Sequence, residues 1–283
     1  MINTWWFNII IYLILYVVFT QSYKIATKSS KNDGALTVLL QHLGGLITLL
    51  FIPLFKIQFP TDIRPYIFLL VACVFYAIND RINTTTRKGL EVSTHSMLSQ
   101  LSTVFIITWG IIIFKEPIVI KKIIGALLII AGNIFVLYKK GKFEFNKYVL
   151  LSILCNIAFS IAISIDVGIS DQFNLPLYVA ITLLVPSILV FLFNKVKVSD
   201  VIEEYKTGNK KAIFVIVISW GIMIIEMIRS YQFGSVTTIA PIAAITTILN
   251  VFVAYFVQKE KDSMLKKVIA AIIVILGIIL IKI

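Results

Sequence analysis

Apolar residues come in ten long runs, at about 5–26, 35–56, 65–87, 92–114, 118–138, 147–170, 174–194, 212–232, 236–257 and 264–281, joined by short polar connectors. Each run is near the ~20 residues that an α-helix needs to cross a hydrocarbon core. Strands of a membrane barrel would instead alternate apolar and polar residues over about ten positions. Inside lipid every backbone polar group must be satisfied within the protein, and long continuous runs do this as helices. The pattern therefore predicts an all-α integral membrane protein with ten transmembrane helices. The first run lacks a basic leader and a small-residue cleavage site, so it is read as a span and not as a signal peptide. The longest connector, "KVKVSDVIEEYKTGNKKA", sets Asp200 and Glu203 as a helix-start box and Thr207-Gly208-Asn209 as a stop, which predicts a short interfacial helix.

Composition supports lipid as the solvent. The chain is 59% hydrophobic with a mean hydropathy of +0.97, where a soluble domain is nearer half apolar. The net charge of +12 sits in the connectors. There it sets orientation and meets anionic headgroups, so no nucleic-acid partner is expected. Alternate connectors, including Lys139, Lys140, Lys142, Lys206, Lys210, Lys211, Lys259 and Lys261, hold most of the lysine and arginine. The positive-inside rule puts that set in the cytoplasm and both termini outside a plasma membrane. Cys73 and Cys155 both lie inside runs, which argues against a disulfide framework and against a metal site.

The chain repeats itself. "FKEPIVIKKIIGALLIIAGNIFVLYK" (114–139) and "VQKEKDSMLKKVIAAIIVILGIILIK" (257–282) share an acidic break, a lysine pair and a glycine-bearing apolar run. At an offset of 144 residues, Lys115-Glu116 falls on Lys259-Glu260 and Ser102-Thr103 on Thr246-Thr247. With one residue of slip, Lys121-Lys122 falls on Lys266-Lys267 and Gly132 on Gly277. Two halves follow, 1–143 and 144–283, each with five spans. An odd number of spans makes the second half enter from the opposite side. That is an inverted-topology repeat, which in secondary transporters places the substrate near the midplane where the halves meet.

Glu116, Gly125 and Gly132, after the run "SMLSQLSTVFIITWGIIIF", resemble the EamA family of the drug/metabolite transporter superfamily. The second half keeps Glu260, Gly277 and Pro241 in "TTIAPIAAITTILNVF". Thr103 stands where family members often have proline, and Ala270 where the second half should have glycine. The resemblance implies ten helices in two EamA-type repeats and a carrier of small metabolites, often amino acids or drug-like cations and commonly an exporter. It also implies both termini in the cytoplasm, against the lysine count.

Several polar residues fall inside the runs, where ionisable groups mark substrate or proton paths. Asp80 and Arg81 lie in the third run; Glu226 and Arg229 lie three apart in the eighth, close enough to pair on one helix face. Arg81 falls on Glu226 under the repeat, so the four either line one cavity or form a buried cluster that holds the halves together. In the functional version Asp80 or Glu226 takes a proton and the arginines grip a substrate carboxylate bidentately. Lys24, Gln41, His42 and Asp166 are further candidates, with snorkelling toward an interface as the other reading of Lys24 and Asp166. Ser99, Gln100 and Ser102, with Thr246, Thr247 and Asn250, make a polar stripe that either contacts substrate or bonds helix to helix. Gly125, Gly132 and Gly277 are read as packing positions. Glu116 and Glu260 are read as carboxylates ordering a turn near the positive end of the next helix. Trp5 and Trp6 are interface anchors, and Trp109 and Trp220 are read as packing against lipid.

A small-molecule substrate and membrane lipid are the expected partners, with no cofactor, no metal and no obligatory protein partner. A lipid or lipid-precursor flippase and a cationic drug exporter are alternatives on the same fold. The only histidines, His42 and His95, make no metalloprotease motif, and no phosphate-binding glycine loop is present, so an enzyme is not expected.

Overall fold

The computed structural model describes residues 4–112, 117–139, 142–234 and 236–282. The described chain is helical throughout: α1 (Trp5–Ser29), α2 (Asp33–Leu49), α3 (Arg64–Gly89), α4 (Val92–Leu98), α5 (Leu101–Ile112), α6 (Ile120–Leu137), α7 (Lys147–Ile169), α8 (Leu175–Phe193), α9 (Val198–Thr207), α10 (Lys210–Phe233), α11 (Val236–Val257) and α12 (Met264–Lys282). Its one pair of strands is a clasp of two residues a side, Tyr138–Lys139 against Lys142–Phe143. Eight candidate spans are long and apolar enough to cross a membrane; Asp33–Leu49 and Ile242–Val257 are shorter apolar helices. The chain is an all-α, multi-pass integral membrane protein.

Polarity is turned inside out relative to a soluble protein. On α6, Ile123, Leu127 and Ile134 face outward, while Gly125, Ala126, Gly132 and Asn133 are buried. Gln41, Asp80, Asn156, Glu226 and Asn250 are likewise buried in the bundle. Lipid tails satisfy an exposed isoleucine but not a carboxylate, so the apolar faces point out and the polar groups find one another inside.

Two of the runs end differently from the sequence reading. The second stops at Leu49 and continues only as a 3-10 turn, Ile52–Leu54, because Pro53 brings no N–H to the ladder. The fourth is broken at Ser99–Gln100 into α4 and α5. Tight turns, Gln100 N to Met97 O and Thr103 N to Gln100 O, replace the regular ladder there. The carbonyl of Leu98 accepts from Asn156 Nδ2 of α7 at 3.2 Å, so the break leaves no orphan at that point.

Helices pair across the middle of the chain. α1 packs on α10 and α3 on α7; α2 packs on α8 and α6 on α12. Glycine sets the α6–α12 crossing. A Cβ on Gly125 would lie 2.5 Å from the carbonyl oxygen of Gly277, and one on Gly277 would lie 2.6 Å from that of Gly125. About two turns along α6, Gly132 faces Val274 and the Ala270 carbonyl. The backbones touch because neither helix carries a side chain at the crossing.

α9 is the interfacial helix expected from the long connector, with its start shifted. It begins at Val198, and Asp200 accepts from the backbone N–H of Lys197 at 3.2 Å. Its buried Glu204 accepts from Lys31 N (2.7 Å) and Asn32 N (2.6 Å), which fixes the turn between α1 and α2. Asn32 in turn caps α2 through Gly34 N and Ala35 N.

Candidate functional site

Asp80 sits on α3 facing both α2 and α7. Its carboxylate accepts from Gln41 Nε2 of α2 and from Asn79 Nδ2, each at 2.6 Å. Asn79 Oδ1 accepts from the Cys155 thiol of α7 at 2.9 Å. One turn on, Thr84 bridges Tyr23 of α1 (2.9 Å) and Thr37 of α2 (2.6 Å). Asp80 is 8% exposed and, among the described residues, forms no ion pair. The carboxylate is held only by neutral donors at the meeting of four helices, where an anion is costly in a membrane.

The other three members of the expected cluster do not join it. Arg81 turns to the lysine-rich end, donating to Asn194 Oδ1 (3.2 Å) and Thr85 Oγ1 (2.8 Å). Glu226 and Arg229 make no ion pair with each other. The Arg229 guanidinium lies over the rings of Phe55 (5.1 Å) and Phe233 (5.5 Å), and Glu226 Oε2 is buried without a hydrogen-bond partner. Helical spacing brought both onto one side of α10, where the guanidinium also lies on aromatic faces.

Other candidates are drawn into helix-to-helix bonds. His42 Nδ1 meets Ser187 Oγ of α8 at 3.2 Å. Gln100 Nε2 donates to Thr247 Oγ1 at 3.1 Å, and Asn250 accepts from Gln21 Nε2 at 3.4 Å. Ser99, Ser102 and Thr246 return to their own helix carbonyls. Gly125, Gly132 and Gly277 occupy the α6–α12 crossing described above. Glu116 lies outside the described residues.

Glu260 caps a helix, but not the next one along the chain. It accepts from Val92 N (2.5 Å), Ser93 N (3.1 Å) and Ser93 Oγ (2.6 Å), at the start of α4 in the other half. Lys267, 1% exposed, lies 3.1 Å from Glu91 and 3.8 Å from Glu260. The positive end of α4 and a buried lysine thus hold this carboxylate from two sides.

Neither Lys24 nor Asp166 snorkels. Lys24 Nζ spends all three donors on the end of α3, at the carbonyls of Arg87 (2.8 Å), Lys88 (2.9 Å) and Leu90 (2.6 Å). The Asp166 carboxylate accepts from the hydroxyls of Tyr76 and Tyr178, with Phe159 and Phe173 edging those rings. The lipid reading of the deep tryptophans gives way too. Trp220 is buried against Phe19 (5.2 Å) and Tyr23 (5.8 Å), and Trp109 Nε1 donates to Ser160 Oγ at 2.8 Å. For Lys24, Asp166 and Trp109 a polar tip found a partner inside the bundle that one-dimensional depth could not reveal, and Trp220 packs there by its ring.

The sequence reading missed Arg87, which it counted with the connector cations. The structure buries it to 7% exposure beneath α1, with the guanidinium over Tyr23 (4.9 Å) and Phe19 (5.5 Å) and Nε donating to Asn83 Oδ1 (3.0 Å). His95 Nε2 meets the same oxygen at 2.9 Å. The signal available in the sequence was "NTTTRKG": threonines instead of lysines on the turn before Arg87.

Residues 5–138 match the profile described as EamA-like transporter family. A solved structure titled "Crystal structure of protein" is similar over 96% of this chain and 95% of its own, with 13% identity and a TM-score of 0.54. At that identity the likeness speaks for the fold alone. No curated protein matches the chain. Residues 5–138, just under half of the chain, are thus similar to the EamA-like transporter family.

Proposed function

We propose that this protein is a secondary active exporter of small metabolites, amino acids among them, working by alternating access between two inverted repeats, 1–143 and 144–283, and coupled to protons through Asp80. The matched profile is that of a transporter family, and the sequence resemblance implies small metabolites or drug-like molecules as cargo. The helix pairing supports the repeat. Exchanging the halves turns the α1–α10 contact into α7–α3 and returns α2–α8 and α6–α12 to themselves. The same exchange turns the Gly125–Gly277 approach into that of Ala270 and Gly132.

Asp80 carries the reading. A buried carboxylate with neutral donors only is costly as an anion in a membrane. It is held by one helix of its own half (α2) and linked through Asn79 to one helix of the other (α7). Loading a proton there removes charge from the seam along which the halves would slide.

The test is counterflow in proteoliposomes preloaded with unlabelled amino acids. Uptake of an external label, absent in empty liposomes, establishes a carrier. Asp80→Asn should keep counterflow, which needs no coupling, and lose transport driven by a pH gradient. If the variant responds to the gradient as the parent does, Asp80 is not the proton site.

Asp166 favours a second reading, a carrier of organic cations. Its carboxylate sits among Tyr76, Tyr178, Phe159 and Phe173, and a carboxylate with aromatic faces suits a cation. Exchange of amines, lost in Asp166→Asn, would select it. For orientation we propose that the lysine-rich end faces the cytoplasm, which places the C-terminus outside. A reporter after Ile283 that is active only in the cytoplasm would reverse this.

A further inference from the structure

We infer that Arg87 is the group that grips the substrate, and that it takes a carboxylate, behind a gate made by Lys24 and Leu90; this rests on the carrier reading above. Arg87 has a single side-chain hydrogen bond, Nε to Asn83, and no ion pair among the described residues. Neither Nη group makes a hydrogen bond to a described residue, and the residue as a whole is 7% exposed. The carboxylates nearest to hand are engaged elsewhere: Asp80 by Gln41 and Asn79, Glu260 by the start of α4, and Glu91 by Lys267.

The space in front of Arg87 is lined by Thr20, Lys24, Leu90, Val92 and His95. Thr20 Oγ1 is buried there with no hydrogen-bond partner, although a helical threonine can return its hydroxyl to its own helix. The guanidinium and the Thr20 hydroxyl thus line one space without a hydrogen bond between them. A carboxylate matches the guanidinium fork, because its two oxygens accept two parallel N–H bonds and the third acceptor site remains for the hydroxyl. The rings of Phe19 and Tyr23 lie against the guanidinium face, which fixes its plane and leaves its edge for the ligand.

The inner space has no room even for a water molecule in this conformation. Directly outside it, at the lysine-rich end, a pocket of about 350 Å³ is lined by Lys24, Lys28, Leu90, Glu91, Gln258 and Glu260. Lys24 and Leu90 belong to both. Lys24 has no donor left for a substrate, since all three are bound to the last carbonyls of α3. It is the tie between α1 and α3, and releasing it joins the outer pocket to the Arg87 space.

The experiment is counterflow with paired probes: labelled leucine against isoamylamine, phenylalanine against phenethylamine, and inorganic phosphate as a third anion. The amino acids should exchange and their decarboxylated partners should not. Arg87→Gln should lower amino-acid exchange by about tenfold or more, the loss of one or two charge-assisted bonds, and Arg87→Lys should restore only part of it. Equal exchange of amines and amino acids, or an unchanged rate in Arg87→Gln, overturns the assignment and leaves the carrier standing. Exchange of phosphate in place of the amino acids overturns the carboxylate. No exchange of any probe by folded protein removes the carrier reading and this inference together. If Arg87→Gln does not fold, Thr20→Val decides: its hydroxyl bonds no protein group, so the variant should fold and show a raised KM for amino acids, and an unchanged KM overturns the site.

Discussion

Adding one methyl group at the α6–α12 crossing should measure how close those backbones are. In Gly125→Ala the new Cβ meets the Gly277 carbonyl oxygen at 2.5 Å and Ile281 Cγ1 at 2.5 Å. The isoleucine can turn; the carbonyl belongs to a helix backbone and cannot. Relief requires α12 to move by much of an ångström along a contact that spans both helices. Overpacking of this kind costs about 1–3 kcal/mol, and alanine recovers up to about 1 kcal/mol through helix propensity. With the full recovery the net loss should be about 0–2 kcal/mol for Gly125→Ala, and similar for Gly277→Ala, whose Cβ meets the Gly125 carbonyl at 2.6 Å. The double variant should lose less than the sum, because one separation of the helices relieves both clashes, with a coupling of roughly 0.5 kcal/mol or more. Gly168→Ala is the control, since nothing lies within 4 Å of its added Cβ. The assay is thermal unfolding of purified protein in detergent, followed by the monodisperse fraction remaining. If both crossing variants melt with the Gly168→Ala control, or if their losses simply add, the helices do not meet backbone to backbone.

Other outcomes follow from single contacts. Glu260→Gln replaces a carboxylate that holds the start of α4 by three bonds, and should cost about 1–3 kcal/mol in the same melting assay. Glu204→Gln should cost about 1–2 kcal/mol by loosening the α1–α2 turn, read as faster hydrogen exchange at Lys31 and Asn32. Trp109→Phe loses the bond to Ser160 together with the pyrrole half of the indole, and should cost about 1 kcal/mol or more in the same melting assay. Lys24→Met should unfasten α1 from the end of α3, so that a cysteine placed at Leu90 labels faster with a water-soluble maleimide than it does beside native Lys24.

The residues that pack for want of a side chain were readable in one dimension. Gly125, Gly132 and Gly277 recur at matching places in two apolar runs, and a small residue in a membrane helix has few uses besides letting another helix approach. The partners of the charges were not readable. Helical spacing says that Glu226 and Arg229 share a face, but it does not say that Phe55, from another part of the chain, will offer that guanidinium an aromatic surface. The break at Ser99–Gln100 escaped notice for a related reason: no proline marks it, and its exposed carbonyl is satisfied by Asn156 from the seventh run.

By itself the sequence determined that the chain lives in lipid, that it does so as helices, and where most of them begin and end. Each of those follows from local chemistry: run length against bilayer thickness, and a backbone that must satisfy itself. Only the tertiary structure decided which ionisable groups are active candidates. Arg87 and Lys24 differ little in composition from the lysines around them. What sets them apart is that α1 lies across the end of α3, using up the donors of Lys24 and covering Arg87 while leaving its guanidinium edge unpaired. Burial and satisfaction belong to pairs of helices, and the order of residues along one chain does not contain them.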